Sequence, residues 1–180
     1  MIKRLRYFCY GSNLNVSQMK QRCPGARPMS AAILDGYRLE FQGNASGCGY
    51  CTVEPDKGKR TQGGLWSITE QDLKRLDFYE GFPTLYRRIN VPVQTEFGVE
   101  IAMTYQMTAG HPLAMPTDWY VNVCLDGYED FELDKRAFRA AIRSTRTRID
   151  KQPAFMGWHK GGAINGKKKN QIHRSDAMAR

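Results

Sequence analysis

The sequence predicts an α+β protein: a small mixed, mainly antiparallel, barrel-like sheet with flanking helices. Three observations lead there. Stretches with an apolar alternation of two recur through the body of the chain, as half-buried strands require, while the strongest helical periodicity comes at the end. No internal repeat is present, so neither a solenoid nor a propeller applies. With 180 residues, 41% hydrophobic and 11% aromatic, the chain is long enough for one real core and too short for two.

The elements follow in order. Residues 4–10 (RLRYFCY) alternate, then run apolar and aromatic up to Gly11, which reads as a buried first strand. A short amphipathic helix, NLNVSQMKQR, follows at once and is ended by Pro24 and Gly25. Segment 31–42 sets Tyr37, Leu39 and Phe41 against Arg38, Glu40 and Gln42, the alternation of a half-buried strand. Strands near 50–54 and 60–67 flank PDKGK, which suggests a hairpin. Thr69 with Asp72 reads as a capping box for a helix at 70–80, with Leu73 and Leu76 inward and Gly81 as its stop. Strands at 85–96 and 99–107 turn at Gly98, and Pro92 places the first of them on an edge or a bulge. A helix over 117–128 is expected to end before Gly127. A last one, 134–149, collects Phe138, Ile142, Thr145 and Ile149 on one side and Arg136, Arg139, Arg143 and Arg146 on the other.

The formal charge of +9 invites a nucleic-acid reading until it is located. Residues 1–134 carry 14 basic and 16 acidic side chains, whereas 135–180 carry 13 basic and 2 acidic. The basicity therefore belongs to a last helix and a Gly/Lys-rich tail, and the division expected is a domain over 1–150 and a tail over 151–180. The helix stripe reads first as a solvated face. A second reading is a footprint for RNA, DNA or an acidic partner centred on Lys167–Lys169, though Phe155 and Trp158 offer little for base stacking. A third is an oligomer contact, and the oligomeric state stays open. No run of about 18 apolar residues spans a membrane. The first residues lack a secretory h-region, and five cysteines are an odd number, so a reducing, cytoplasmic setting is expected.

Two stretches can carry chemistry. Tyr7-Phe8-Cys9-Tyr10-Gly11-Ser12-Asn13-Leu14 brings a strand to a glycine that can take positive φ and admit a ligand to the backbone. A helix starting there would aim free N–H groups at a carboxylate or a developing oxyanion; an ordinary strand-to-helix turn is the plainer reading. In Leu76-Asp77-Phe78-Tyr79-Glu80-Gly81, the carboxylate of Glu80 lies at the negative end of its helix, three residues from Asp77. Burial among Phe78, Phe82 and Tyr86 would raise its pKa toward that of a base that can also act as an acid, while Arg87 and Arg88 could oppose this. The plainer reading is a solvated glutamate at a helix end.

Together these stretches resemble the gamma-glutamylcyclotransferase family, with its AIG2-like fold. The family's Tyr-Gly-Ser-Asn-Leu stands here as Tyr10 to Leu14. Its central strand and helix correspond to Gly64-Leu65-Trp66 through Glu80-Gly81 and Tyr86, and its late signature to Pro116-Thr117-Asp118-Trp119-Tyr120, with Thr in place of Ser. Gly127 and Leu133 match later positions, so the resemblance runs over about 5–149. It implies a catalytic domain over 1–150, Glu80 as the catalytic glutamate, and Tyr10, Gly11, Ser12 and Asn13 as the cradle for the gamma-glutamyl group. Tyr7, Phe8, Cys9 and Leu14 extend that cradle as substrate-binding positions, with Tyr86 and Tyr120 lining the pocket.

The implied reaction is attack of the α-amine of a gamma-glutamyl compound on its own γ-carbonyl, releasing 5-oxoproline and the attached amine. One carboxylate of raised pKa can move the protons, and backbone N–H groups can hold the oxyanion. Nucleophile and electrophile share one molecule, so the site mainly folds the substrate. The chemistry calls for no metal or organic cofactor, and the partner is a small gamma-glutamyl substrate. The alternative is a non-catalytic binding module of the same fold that holds a polyanion with its basic end. Cys48 and Cys51 have dithiol spacing but continue into a strand, so a structural role comes first. His111, His159 and His173 lack metal-ligand spacing. The loop 43–49 could border the site.

Overall fold

The computed structural model describes residues 3–44 and 46–152. The chain runs β1 (Arg4–Cys9), a 3-10 turn (Ser12–Leu14), α1 (Val16–Arg22), β2 (Arg27–Gly43), β3 (Gly49–Thr69), α2 (Glu70–Tyr79), β4 (Tyr86–Thr95), β5 (Gly98–Met107), α3 (Asp118–Asp130) and α4 (Lys135–Asp150). The α+β architecture expected from the alternation is present. The five strands form a closed barrel in the order β1-β3-β2-β4-β5, antiparallel except where β1 meets β5 through Tyr7 and Met103.

Closure follows from the length and bending of β2 and β3. Their ladder runs from Arg27 opposite Ser67 to Gly43 opposite Gly49, interrupted by register shifts between Pro28 and Ser30 and between Asp35 and Tyr37. Extra residues on one strand bend it and increase its twist, which lets one long pair curve far enough to serve two neighbours. The second shift corrects a sequence expectation. Segments 50–54 and 60–67 do not pair with each other as a hairpin; both pair with β2 within the single strand β3, and 56–59 bulge out opposite Gly36.

The core fills the barrel and extends under the helices. Trp66 packs edge-on to Phe131, with ring centroids 5.6 Å apart, and Phe41 and Tyr128 both meet Phe138 of α4. Each such side chain contributes on the order of 2–3 kcal/mol on burial. On α4, Phe138 and Thr145 are buried while Arg136, Arg139, Arg143 and Arg146 are exposed, as the periodicity requires. Arg148 on the same helix reaches the buried carboxylate of Glu40, which also accepts from Arg38 and Gln42, and so latches α4 to β2.

Helix α3 does not end before Gly127, as the sequence suggests, but continues to Asp130 with Gly127 buried inside it. A Cβ at Gly127 would lie 2.5 Å from the Leu14 Cβ and the Asn15 backbone nitrogen. The glycine is there because α3 presses its backbone onto the loop that follows β1.

Candidate active site

Glu80 caps the C-terminus of α2, its N–H donating to the Leu76 carbonyl at 2.8 Å. Gly81, at φ 63°, takes the left-handed conformation that ends the helix, and Thr84 and Leu85 donate back to its carbonyl. The chain thereby reverses, and β4 begins at Tyr86. The start of α2 is held by the expected capping box, in which Asp72 also accepts from the N–H of Gly25 at 3.1 Å. The orientation of Glu80 is thus set by both ends of one ten-residue helix.

Opposite it, β1 delivers Tyr7 and Cys9 to the same cavity, and Tyr10 to Asn13 continue the wall. No α-helix starts at Gly11. The chain makes a 3-10 turn first, and α1 begins only after Asn15, whose side chain caps it by accepting from Gln18 N–H at 2.9 Å. Gly11 has φ −122°, not a positive value. It is required for close approach, since a Cβ would sit 3.0 Å from the Tyr120 hydroxyl and 3.1 Å from Cys51 Cβ. The 3-10 turn ties Leu14 N–H to Gly11 and Asn15 N–H to Ser12, leaving the N–H groups of Ser12 and Asn13 without a protein acceptor among the described residues.

Asn13 links the two walls. Arg22 donates to its Oδ1 at 2.7 Å, and because a guanidinium can only donate, the amide is oriented with its Nδ2 toward Tyr7 Oη at 2.8 Å and Glu80 Oε1 at 2.7 Å. Arg22 is itself positioned by Gln18 and by the Tyr79 ring, 4.0 Å below its guanidinium carbon. Glu80 Oε2 has no partner among the described residues.

Burial pushes the Glu80 carboxyl up from 4.5 to about 7, and the Asn13 hydrogen bond and the Arg22 charge hold it from rising further. The direction matches the sequence expectation, but the surroundings differ. Phe78 points into solvent at 81% exposure and desolvates nothing, because α2 turns that face outward. Asp77 accepts from the Tyr105 hydroxyl at 2.8 Å and lies 3.6 Å from Arg88, while Arg87 donates to Gln106, so both cations expected to oppose Glu80 are engaged elsewhere. Arg22 takes that opposing place.

Glu80, Tyr7, Cys9, Tyr10, Gly11, Ser12, Asn13, Tyr86 and Tyr120 all line one cavity of about 160 Å³. Phe8 and Leu14 do not. Both are fully buried on other faces, Phe8 because successive strand side chains alternate and Leu14 because it lies under α3. The Tyr86 hydroxyl donates to the Cys51 carbonyl at 2.8 Å, and the Tyr120 hydroxyl accepts from the Cys51 N–H at 3.2 Å, so one β3 residue holds both rings. Tyr79, Trp119, Tyr50 and Asn44 complete the mouth. The loop before α3 is bonded to the β2–β3 end, Gly43 N–H to Pro112 and Gly49 N–H to Met115, which brings Trp119 and Asn44 together.

Sequence reasoning missed Arg22, Tyr79 and Tyr105. Alternation along β5 marks Tyr105 as inward, but no spacing connects Arg22 to Glu80. All five cysteines are free thiols. His111 lies between Gly43 and Thr108, and His159, His173, Lys167–Lys169 and the rest of 153–180 lie outside the described residues. Among the described residues, no group of three or more His, Cys, Asp or Glu is placed to hold a metal, and no helix is long and apolar enough to cross a membrane.

A family model described as Gamma-glutamyl cyclotransferase, AIG2-like matches residues 7–121, a span that contains every cavity residue named above. Gamma-glutamylcyclotransferase from Bos taurus is 32% identical over 132 residues, covering 69% of this chain and 70% of its own. The Homo sapiens gamma-glutamylcyclotransferase is 30% identical over the same shares. A solved gamma-glutamyl cyclotransferase superposes with a TM-score of 0.68 over 90% of this chain and 94% of its own, at 24% identity, a likeness of fold.

Proposed function

This chain belongs to the AIG2-like gamma-glutamyl cyclotransferase family, and on that premise we propose that it cyclises the gamma-glutamyl group of a gamma-glutamyl amine or amino acid, with Glu80 as the proton carrier. It is an enzyme of the cyclotransferase type. The observation that carries the proposal is the state of Glu80: one carboxylate oxygen tied to Asn13, the other without a partner among the described residues, and a pKa raised to about 7 in an aromatic-lined cavity.

In the ionised form Glu80 Oε2 takes a proton from the substrate's α-ammonium. The freed amine attacks the γ-carbonyl carbon, a carbon–nitrogen bond forms, and the carbonyl electrons move onto oxygen. The unpaired N–H groups of Ser12 and Asn13 are the backbone donors available to that oxyanion. Glu80 passes its proton to the leaving nitrogen, the old carbon–nitrogen bond breaks as the carbonyl re-forms, and the second proton of the attacking nitrogen follows the same route. The products are 5-oxoproline and an ammonium. A carboxyl with a pKa close to the working pH serves as base and acid in turn. Tyr86 and Tyr120, braced on Cys51, form walls that hold the substrate folded, which is the main demand of an intramolecular reaction.

Release of 5-oxoproline from a panel of gamma-glutamyl amines and amino acids tests the activity. Glu80→Gln keeps the shape and the Asn13 contact but cannot carry a proton, so turnover is expected to drop by at least about 10²-fold while substrate still binds. Turnover near the wild-type rate in that variant would assign the proton transfer elsewhere.

A further inference from the structure

The tyrosines of the cavity differ in one respect, the fate of the hydroxyl proton. Tyr10 donates to the Tyr105 carbonyl, Tyr86 to the Cys51 carbonyl and Tyr105 to Asp77. Like Tyr120, whose oxygen only accepts from the Cys51 N–H, Tyr7 has no such acceptor among the described residues. Its oxygen accepts from Asn13 Nδ2 at 2.8 Å, and Asn13 cannot accept in return, because its only acceptor atom is turned away to Arg22. The two protons on Nδ2 are both used, one on Tyr7 and one on Glu80, so the amide fixes the two side chains at one place. Tyr120 shares no hydrogen-bond partner with Glu80; its hydroxyl is tied to the Cys51 N–H.

Tyr7 is also held in its protonated form and in one position. Burial and the neighbouring Glu80 charge raise its pKa well above the ordinary phenol value, so the O–H is a donor at any working pH. The ring is 3% exposed and meets Tyr105 edge-on, with centroids 5.8 Å apart. A buried polar proton without an acceptor is uncommon in a folded chain, and here it lines the cavity that holds the unpartnered oxygen of Glu80.

We infer that the Tyr7 hydroxyl donates a hydrogen bond to the oxyanion that forms on the γ-carbonyl oxygen, acting as a side-chain donor beside the backbone N–H groups of Ser12 and Asn13. The inference rests on the cyclisation proposed above. A buried, rigidly held donor that lines the cavity needs little reorganisation as the charge develops, and such donors act on the transition state more than on the bound substrate. Tyr7 gains or loses no covalent bond, and its proton stays on oxygen throughout.

Tyr7→Phe removes only the hydroxyl. With a gamma-glutamyl compound that the wild type converts, kcat is expected to fall by about 10²- to 10³-fold, and KM to stay within about threefold. The midpoint of the kcat/KM pH profile should not move, because Asn13 still holds Glu80. A Tyr7→Phe variant that keeps its melting temperature and retains kcat within about threefold would overturn the inference. So would a loss of rate accompanied by a shifted midpoint, which would make Tyr7 a positioning residue for Asn13 and Glu80. Incorporating 3-fluorotyrosine at position 7 retains the hydroxyl and makes it a stronger donor; kcat near or above wild type is expected, and a loss as deep as that of Tyr7→Phe would also overturn it. If the wild-type protein releases no 5-oxoproline from any compound, the cyclisation proposal itself falls and the oxyanion role falls with it. A loss seen only in the variant concerns Tyr7 alone.

Discussion

At the scale of single residues, the proposed chemistry rests on a carboxylate, Glu80, whose pKa is set by three influences. Burial raises it, while the Asn13 amide and the Arg22 charge restrain it. If Glu80 is the base, kcat/KM should rise with pH through about 7 as it ionises. Asn13→Ala removes a hydrogen bond that favours the charged form, so the midpoint should move to higher pH; a profile measured between pH 5 and 9 decides the sign. A shift to lower pH would mean that the Asn13 amide does not favour the ionised carboxylate. Stability follows the same sign. The native state keeps the proton up to about 7, whereas the unfolded chain releases it near 4.5, so this group lowers stability as pH rises through that window. Glu80→Gln should therefore melt no lower than wild type at pH 8. Glu80 was legible in the sequence through the motif around it, and Arg22 was not, because nine residues and a helix cap separate it from the asparagine it orients.

At the scale of elements, the site depends on how closely α3 approaches the turn after β1. Gly127 lets the helix backbone rest on Leu14 and Asn15, and the added methyl of Gly127→Ala would meet backbone atoms that cannot rotate away. A loss of about 1–3 kcal/mol is expected, together with lower activity, since the displaced turn carries Ser12 and Asn13. Urea unfolding and 5-oxoproline release would check the two effects, and an unchanged unfolding midpoint would show that α3 has room to move. Helix α2 was readable at both ends because Thr69, Asp72 and Gly81 act on their own backbone neighbours. The supposed hairpin around PDKGK was misread for the opposite reason. A turn and a bulge use the same residues, and the partner that distinguishes them is Gly36, some twenty positions away.

At the scale of the whole molecule, the positive excess begins with α4, a helix that is nonetheless packed on the barrel. The cavity lies in the part that carries a small negative balance, and the arginines of α4 face outward except Arg148, which is committed to Glu40. Removing residues 153–180 keeps α4 and its latch, and so should leave kcat/KM for a gamma-glutamyl compound within about twofold. A larger loss in a truncated protein of unchanged melting temperature would place part of the tail at the site. If the second reading of the basic end holds, the same truncation weakens salt-sensitive nucleic-acid binding.

Legible in the sequence were signals that are local or covalently adjacent: the strand alternation, the caps of α2, the apolar face of α4, and the order of motifs that carries the family resemblance. Those signals act over one to four residues, the range across which backbone hydrogen bonds and side-chain periodicity operate. Only the tertiary structure decided which side chains meet. Closure of the barrel and the seating of α3 place Tyr7, Asn13, Arg22 and Glu80 within a chain of direct hydrogen bonds, and turn Phe8, Leu14 and Phe78 away. A raised carboxyl pKa and a hydroxyl proton without an acceptor among the described residues both arise where several walls meet around one cavity, and no single segment of this chain supplies them all.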